Sequence, residues 1–373
     1  MNKWCTATFV RLCTRTGITL VYLGLIAILF YAPWLKKIFL HNNRELSVYT
    51  FTNNFKPELI CAFEQLYKVK VNLKYFDSNE ELLAKFQINK GEGYDIVTIT
   101  DHVVELLRND GILHKFDRSQ LPVFEEIDPK LLGFYFDPAN DYSIPLMWFP
   151  YGIVYRKDIF KENPATISYG LIFENPQDKR GGVIKPYRIC MDDDFRDAIV
   201  FASLYLYKDY DPLALERLPA IQDLLVKQKQ WVESYVTQDL RYYLLTDLVK
   251  VAIAPTVFVR KVIEQSDLFD FKIPEEGGYL AVDNMVIPKK SQNVALAYKF
   301  INFILSRDAA FQNSDYYGFN PTNKRAYQFI AKKFFDNPHF FPEGELFEKL
   351  YMLRNNVPMR EYEELWLAVK SDS

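Results

Sequence analysis

The chain has 373 residues, 49% of them hydrophobic and 25% charged, a folded composition with room for two cores. Its formal net charge of -3 excludes nucleic acid as the expected partner, because phosphate binding needs a clear positive excess. Only four cysteines are present, none in a CxxC pair, which excludes a small disulfide scaffold.

The first predicted element runs from Gly17 to Leu35, GITLVYLGLIAILFYAPWL, an uncharged stretch about long enough to cross a bilayer. Lys3, Arg11 and Arg15 precede it, as in a signal or anchor. No small-x-small triplet closes it and no Cys follows it, so the expectation is an uncleaved N-terminal transmembrane helix between a short segment 1–16 and a linker 36–44. Lys36, Lys37 and Arg44 balance the basic residues on the other side, so charge alone does not orient it.

Beyond the linker, Leu46–Phe51 reads as a strand and Lys56–Tyr67 as an amphipathic helix. Val69–Phe76 alternates like a second strand, Ser78 can cap a helix over Asn79–Asn89, and Tyr94–Thr100 is a third strand leading into a helix from His102 to Asp110. This alternation predicts a parallel α/β sheet, whose ligands sit beyond the carboxyl ends of the strands. That rule nominates Phe51–Asn54 and Thr100–His102. A strand over Gly182–Met191 runs into Asp192-Asp193-Asp194 and a helix over Phe195–Tyr207. Val249–Ala254 is another strand, with Thr256 as N-cap of the helix behind it. Asn293–Ser306, Gln328–Asp336 and Glu361–Ser371 complete the predicted helices. A second block of α/β units means a second lobe, and ligands favour the cleft between lobes. Cys61 and Cys190 read as buried free thiols, since a bridge would need two distant segments to meet.

From Leu46 onward the chain carries SNEELLAK (Ser78–Lys85), GYDIVTIT (Gly93–Thr100), FDPANDYSIPLMW (Phe136–Trp148), DDDFRD (Asp192–Asp197) and PEEGGYLAVDNMVIP (Pro274–Pro288). INFILSRDAA (Ile301–Ala310) and Gly318–Thr322 follow. In these residues, their order and their spacing the chain resembles the periplasmic spermidine/putrescine-binding proteins, the receptors of a polyamine ABC transporter. The resemblance implies a two-lobed periplasmic-binding-protein fold of type II with crossover strands near residues 151 and 282. Lobe 1 would combine 45–151 with 283–327, and lobe 2 would combine 152–282 with 328–373. It also implies a receptor that closes on an extended polyamine, performs no chemistry and needs no cofactor or metal. Its partners would be the transporter's membrane subunits, and its place the periplasm, held to the inner membrane by the N-terminal helix.

A polyamine site needs carboxylates at the amines and apolar or aromatic walls along the methylenes. By resemblance, Asp194, Asp197 and Asp283 fall on the family's amine-binding carboxylates, with Asp197 replacing a glutamate. Asp194 and Asp197 are three apart at a helix start, where the dipole favours their ionised forms. Read without the family, such residues are as well explained by capping; Asp283 stands out because it interrupts an apolar segment, Tyr279–Ile287. Phe51 takes the place of a family tryptophan, His102 of a tyrosine, Thr100 of a serine and Asn54 of a second tyrosine. Ala254 and Ala281 stand where the family has tryptophans, and Arg354 replaces a glutamine. These departures motivate an alternative ligand, another cationic or zwitterionic metabolite whose carboxylate meets Arg354. A ferric-ion receptor of the same fold is a second alternative, through Tyr242-Tyr243 or Tyr316-Tyr317. An enzyme is not expected: no GxSxG, HExxH, P-loop or GxGxxG stands in a strand–helix context.

Overall fold

A computed structural model describes residues 45–160, 163–174, 187–211, 214–236, 239–354 and 359–371. The expected transmembrane helix over 17–35 lies outside these residues, as do Cys5 and Cys13. No helix among the described residues is long and apolar enough to cross a membrane.

The first strands and helices are β1 (Glu45–Phe51), α1 (Pro57–Tyr67), β2 (Lys70–Phe76), α2 (Asn79–Asn89), β3 (Ile96–Thr100) and α3 (Asp101–Asn109). The local signals act as expected at α2, where Ser78 accepts a hydrogen bond from the Glu81 amide. Helix α3 begins one residue earlier than read, with Asp101 already in its first turn. Strand β4 (Ser143–Arg156) then leads to β5 (Ile189–Met191), α4 (Phe195–Tyr207), α5 (Leu218–Lys229), β6 (Val232–Tyr235), β7 (Val251–Pro255), α6 (Thr256–Gln265), β8 (Phe269–Lys272) and β9 (Gly278–Val286). The last elements used below are α7 (Val294–Ile304), α8 (Arg307–Tyr317), β10 (Asn320–Pro321), β11 (Leu350–Tyr351) and α9 (Met359–Ser371).

The strand order is β2-β1-β3-β9-β4-β7-β5-β6. Two parallel blocks stand at the ends of this order: β1 pairs in parallel with β2 and β3, and β5 pairs in parallel with β6 and β7. Between them run β4 and β9, antiparallel to each other and to their outer neighbours. Along β4 the partner changes from β9, up to Pro150, to β7, from Tyr151 onward. One continuous strand thus serves both blocks, and β9 is buried over its whole length. Gly152 sits at the change of partner, where a Cβ would lie 2.5 Å from the Lys272 carbonyl and 2.8 Å from the Phe271 ring. No other residue fits there without a shift of the backbone.

Each block has its own core. One gathers Leu46, Val48, Phe63 and Ile96 under Phe300 and Ile301 of α7. The other gathers Ile153, Ile189, Phe201 and Val251 with Leu365 and Val369 of α9, so the C-terminal helix completes the second block.

Three local expectations are corrected. The helix read over Gln328–Asp336 is a 3₁₀ segment Lys324–Phe329 and a single turn Lys332–Phe335. Ile330 and Ala331 between them break the helix, which lets Ile330 and Phe334 enter the same core cluster. Thr256 is the first helical residue of α6 rather than its cap, because β7 continues through Pro255. Cys61 and Cys190 are both free, but only Cys190 is buried; Cys61 faces outward on α1.

Candidate functional site

The strand-end rule can be followed residue by residue. Thr100 closes β3 and pairs with Asp283 of β9, so the two lie side by side. Met147 of β4 flanks Asp283 on its other side, next to a register shift between Pro145 and Met147. Such an irregularity re-aims side chains beside it. Asp283 is buried, and burial, followed by the charge of Asp101, pushes its carboxyl up to about 7.

From the opposite block, β5 ends at Met191 and the chain enters Asp192-Asp193-Asp194 before α4. The Asp194 carboxylate caps α4 by accepting from the Arg196 amide at 2.9 Å, and Asp192 accepts from the Asp194 amide at 3.1 Å. Asp194 is therefore a helix cap. Its second role is an ion pair: Arg196 Nε donates to Asp194 Oδ1 at 3.0 Å and Nη2 to Oδ2 at 2.7 Å. Burial pushes Asp194 up, but the hydrogen bonds and charge of Arg196 outweigh it and hold the carboxyl below its ordinary value. Asp197, one turn on, is buried; burial and the charges of Asp192 and Asp194 raise it well above the carboxylate range. That corrects the expectation that the helix dipole keeps Asp197 ionised. A dipole contribution of about 1 kcal/mol cannot balance full burial beside two like charges.

Arg196 also joins the two blocks. Its Nη1 lies 3.0 Å from Glu80 Oε1 of α2 and 3.4 Å from His102 Nε2 of α3. A guanidinium only donates, so Nε2 is the accepting nitrogen, and His102 Nδ1 carries its hydrogen toward Thr100 Oγ1 (3.2 Å) and Asp101 Oδ1 (3.3 Å). Burial disfavours the Arg196 charge, but the hydrogen bond and charge of Asp194, then the charge of Glu80, raise its pKa above the ordinary arginine value.

The remaining expected residues divide. Phe51 packs on Phe76 with ring centroids 4.2 Å apart at the carboxyl end of β1. Asn54 turns into the first block: its amide donates to Thr98 Oγ1 at 3.1 Å and its carbonyl accepts from Asn313 at 2.7 Å. Arg354 is exposed and lies 5.0 Å from the Tyr135 ring centroid. Among the described residues it forms no ion pair, and the arginine that meets the predicted carboxylates is Arg196.

Several residues went unread. Tyr151 and Tyr279 pack with centroids 4.9 Å apart, and both hydroxyls are raised well above their ordinary value by burial and then by the site's carboxylates. Asp197, Asp192, Asp194 and Asp283 all act on Tyr151, so this ring stands among carboxylates of both blocks. Tyr135 donates to the Leu353 carbonyl and feels Asp101. These tyrosines are aromatic faces at positions other than Ala254 and Ala281. Tyr135, Tyr210, Asp211, Tyr351 and Arg354 line an adjoining cavity of about 640 Å³. The tyrosine pairs considered for ferric ion pack edge to face, 5.6 Å apart for Tyr242–Tyr243 and 4.8 Å for Tyr316–Tyr317. Among the described residues no group of three or more His, Cys, Asp or Glu side chains is placed to hold a metal.

Such a site offers acceptors and rings, which can hold and orient a cation. Comparison with known proteins agrees with a binding role. The chain is 28% identical over 347 residues to the putrescine-binding periplasmic protein PotF of Escherichia coli, covering 88% of this chain and 92% of that one. It is 25% identical over 310 residues to a spermidine/putrescine-binding periplasmic protein of Salmonella typhimurium, covering 83% and 86%. The substrate-binding protein PotD of a spermidine/putrescine ABC transporter from Streptococcus pneumoniae superposes with a TM-score of 0.73 at 26% identity, covering 88% of this chain and 98% of that one. Residues 47–311 match the model of the bacterial extracellular solute-binding proteins, and the chain belongs to that family.

Proposed function

We propose that the protein captures a polyamine of the spermidine/putrescine class in the cleft between its two blocks and delivers it to the membrane subunits of an ABC transporter. The observation that carries this reading is the charge balance of the cleft. Asp101, Asp197 and Asp283 are buried together, while the one arginine among them in the described residues, Arg196, is already engaged by Asp194 and Glu80. Buried carboxylates without cations are costly, and an ammonium group from the ligand removes that cost. Tyr151 and Tyr279 provide faces for the methylene stem. The names of the relatives support the same ligand class.

The lobes are taken as 45–151 with 283–327 and 152–282 with 328–373; the change of partner at Tyr151 in β4 supports the first boundary. Ligand contacts from both lobes would favour closure. Asp194, Asp197 and Asp283 are assigned as anchors, with Phe51, Thr100 and His102 at the wall. The stretch Gly17–Leu35 is assigned as a membrane anchor that keeps the receptor beside its transporter on the periplasmic side. Thermal denaturation against a panel of polyamines and amino acids tests the ligand class: putrescine or spermidine should raise the melting temperature, and stabilisation by amino acids alone would overturn it.

A second reading rests on Arg354, which faces the 640 Å³ cavity with Asp211. A zwitterionic metabolite would place its carboxylate on Arg354. Under that reading Arg354→Gln switches ligand preference; under the leading one it leaves polyamine affinity unchanged.

A further inference from the structure

Asp101 lies inside the nominated stretch Thr100–His102 but was given no role of its own, and a carboxylate in a helix's first turn ordinarily needs no further explanation. Its surroundings require one. Asp101 has 0% exposure, and its Oδ1 accepts from the His102 amide at 2.7 Å. Its other oxygen, Oδ2, is buried and has no hydrogen-bond partner among the described residues. Leaving a charged acceptor buried without a donor is among the most unfavourable arrangements in a folded protein. The groups that feel its charge are Asp283, Tyr279 and Tyr135, with Asp197 across the cleft. Its single free oxygen therefore belongs to the same cluster as Asp283, two carboxylates on the β3–β9 side that no arginine or lysine among the described residues pairs with.

Resting on the polyamine reading above, we infer that Asp101 is a fourth anchoring carboxylate, and that Asp101 and Asp283 together receive one primary ammonium group of the ligand. A primary ammonium presents three N–H donors to neighbouring acceptors, whereas a quaternary ammonium presents none. Two carboxylates, with the Tyr279 and Tyr135 hydroxyls within range of Asp101, are an acceptor set, which selects for N–H bonds rather than for positive charge alone. The site thus discriminates against polyamines whose terminal nitrogens are fully alkylated. Asp197 on the other wall is left for a second nitrogen of the chain.

The test is isothermal titration of the full chain, wild type and Asp101→Asn, with putrescine and with its bis(trimethylammonium) analogue. The wild type should prefer putrescine by a hundredfold or more. Asp101→Asn should lose about tenfold or more in putrescine affinity, with little change for the analogue, so the preference shrinks. Its ligand-free form should melt at or above the wild-type temperature, because a buried like-charge pair has been relieved. Asp101→Ser, which keeps an oxygen at the start of α3, should behave as Asp101→Asn does. Equal losses for both probes, or unchanged putrescine affinity in both variants, would overturn the inference and leave the polyamine reading intact. Failure of the wild type to bind putrescine at all would instead remove that reading, and this inference with it.

Discussion

Ligand affinity should depend on pH through Asp283. In the ligand-free protein burial and Asp101 push its carboxyl up to about 7, so the group is mostly neutral at mildly acidic pH. An ammonium beside it returns the pKa toward the ordinary value of about 3.9. At pH 5.5 about one Asp283 in thirty is ionised, and at pH 8 nearly all are. Affinity should therefore rise about thirtyfold from pH 5.5 to 8, about 2 kcal/mol at 1.36 kcal/mol per decade. Polyamine nitrogens, like lysine, remain charged across this range, so the change belongs to the protein. Asp197, also raised by burial and by Asp192 and Asp194, steepens the dependence. Calorimetry at pH 6 in buffers of different ionisation enthalpy should register about one proton per ligand released from Asp283, with Asp197 adding to it. Asp283→Asn should bind about 10–150-fold more weakly at pH 8, the loss of a charged hydrogen bond of about 1.5–3 kcal/mol, and show a flatter profile. Linkage gives the opposite slope for ligand-free stability. Between about pH 4 and 7 the folded state holds the Asp283 proton that the unfolded state has lost, so stability falls as pH rises through 7, by at most about 4 kcal/mol. A wild-type affinity that stays flat from pH 5.5 to 8, with no proton released, would refute the reasoning.

Arg196→Gln removes the link from Asp194 to Glu80 and His102. In the presence of putrescine its radius of gyration by small-angle scattering should exceed the wild-type value, since closure loses its cross-cleft ion pair; equal dimensions would speak against that role. Gly152→Ala forces a Cβ against the Lys272 carbonyl and Phe271. It should destabilise the protein by about 1–3 kcal/mol, seen as a lower melting temperature, and an unchanged melt would mean that β4 gives way freely. Tyr135→Phe removes the hydrogen bond to the Leu353 carbonyl. It should cost about 0.5–1.5 kcal/mol in chemical denaturation, and a larger loss of ligand affinity than of stability would place the Tyr135 hydroxyl on the ligand instead.

Much of the fold follows from local pattern, because apolar alternation, the Ser78 cap and the order of strands and helices are short-range signals. Asp283 was legible for a related reason, as the one carboxylate within an apolar strand. Arg196 was not, and Asp101 was covered only by the nominated stretch Thr100–His102: each has an ordinary local explanation, the one as a charged residue between two aspartates, the other as a helix-start acid. The role of Arg196 comes from side chains 94 and 116 positions away, His102 and Glu80, which no local pattern reports. Arg354, placed by alignment, stands over Tyr135 and lines the neighbouring cavity, while the arginine that meets Asp194 is Arg196. Tyr151 and Tyr279 were hidden by abundance, since among 25 tyrosines nothing in the sequence marks the two that meet the carboxylates.

Calorimetric titration of the purified protein with putrescine and spermidine at pH 8, repeated on Asp283→Asn, tests the central claim most directly. Binding at micromolar concentration or tighter, lost or strongly weakened in the variant, is the predicted result. A folded protein that binds neither polyamine, or binds them equally well without the Asp283 carboxylate, would contradict it.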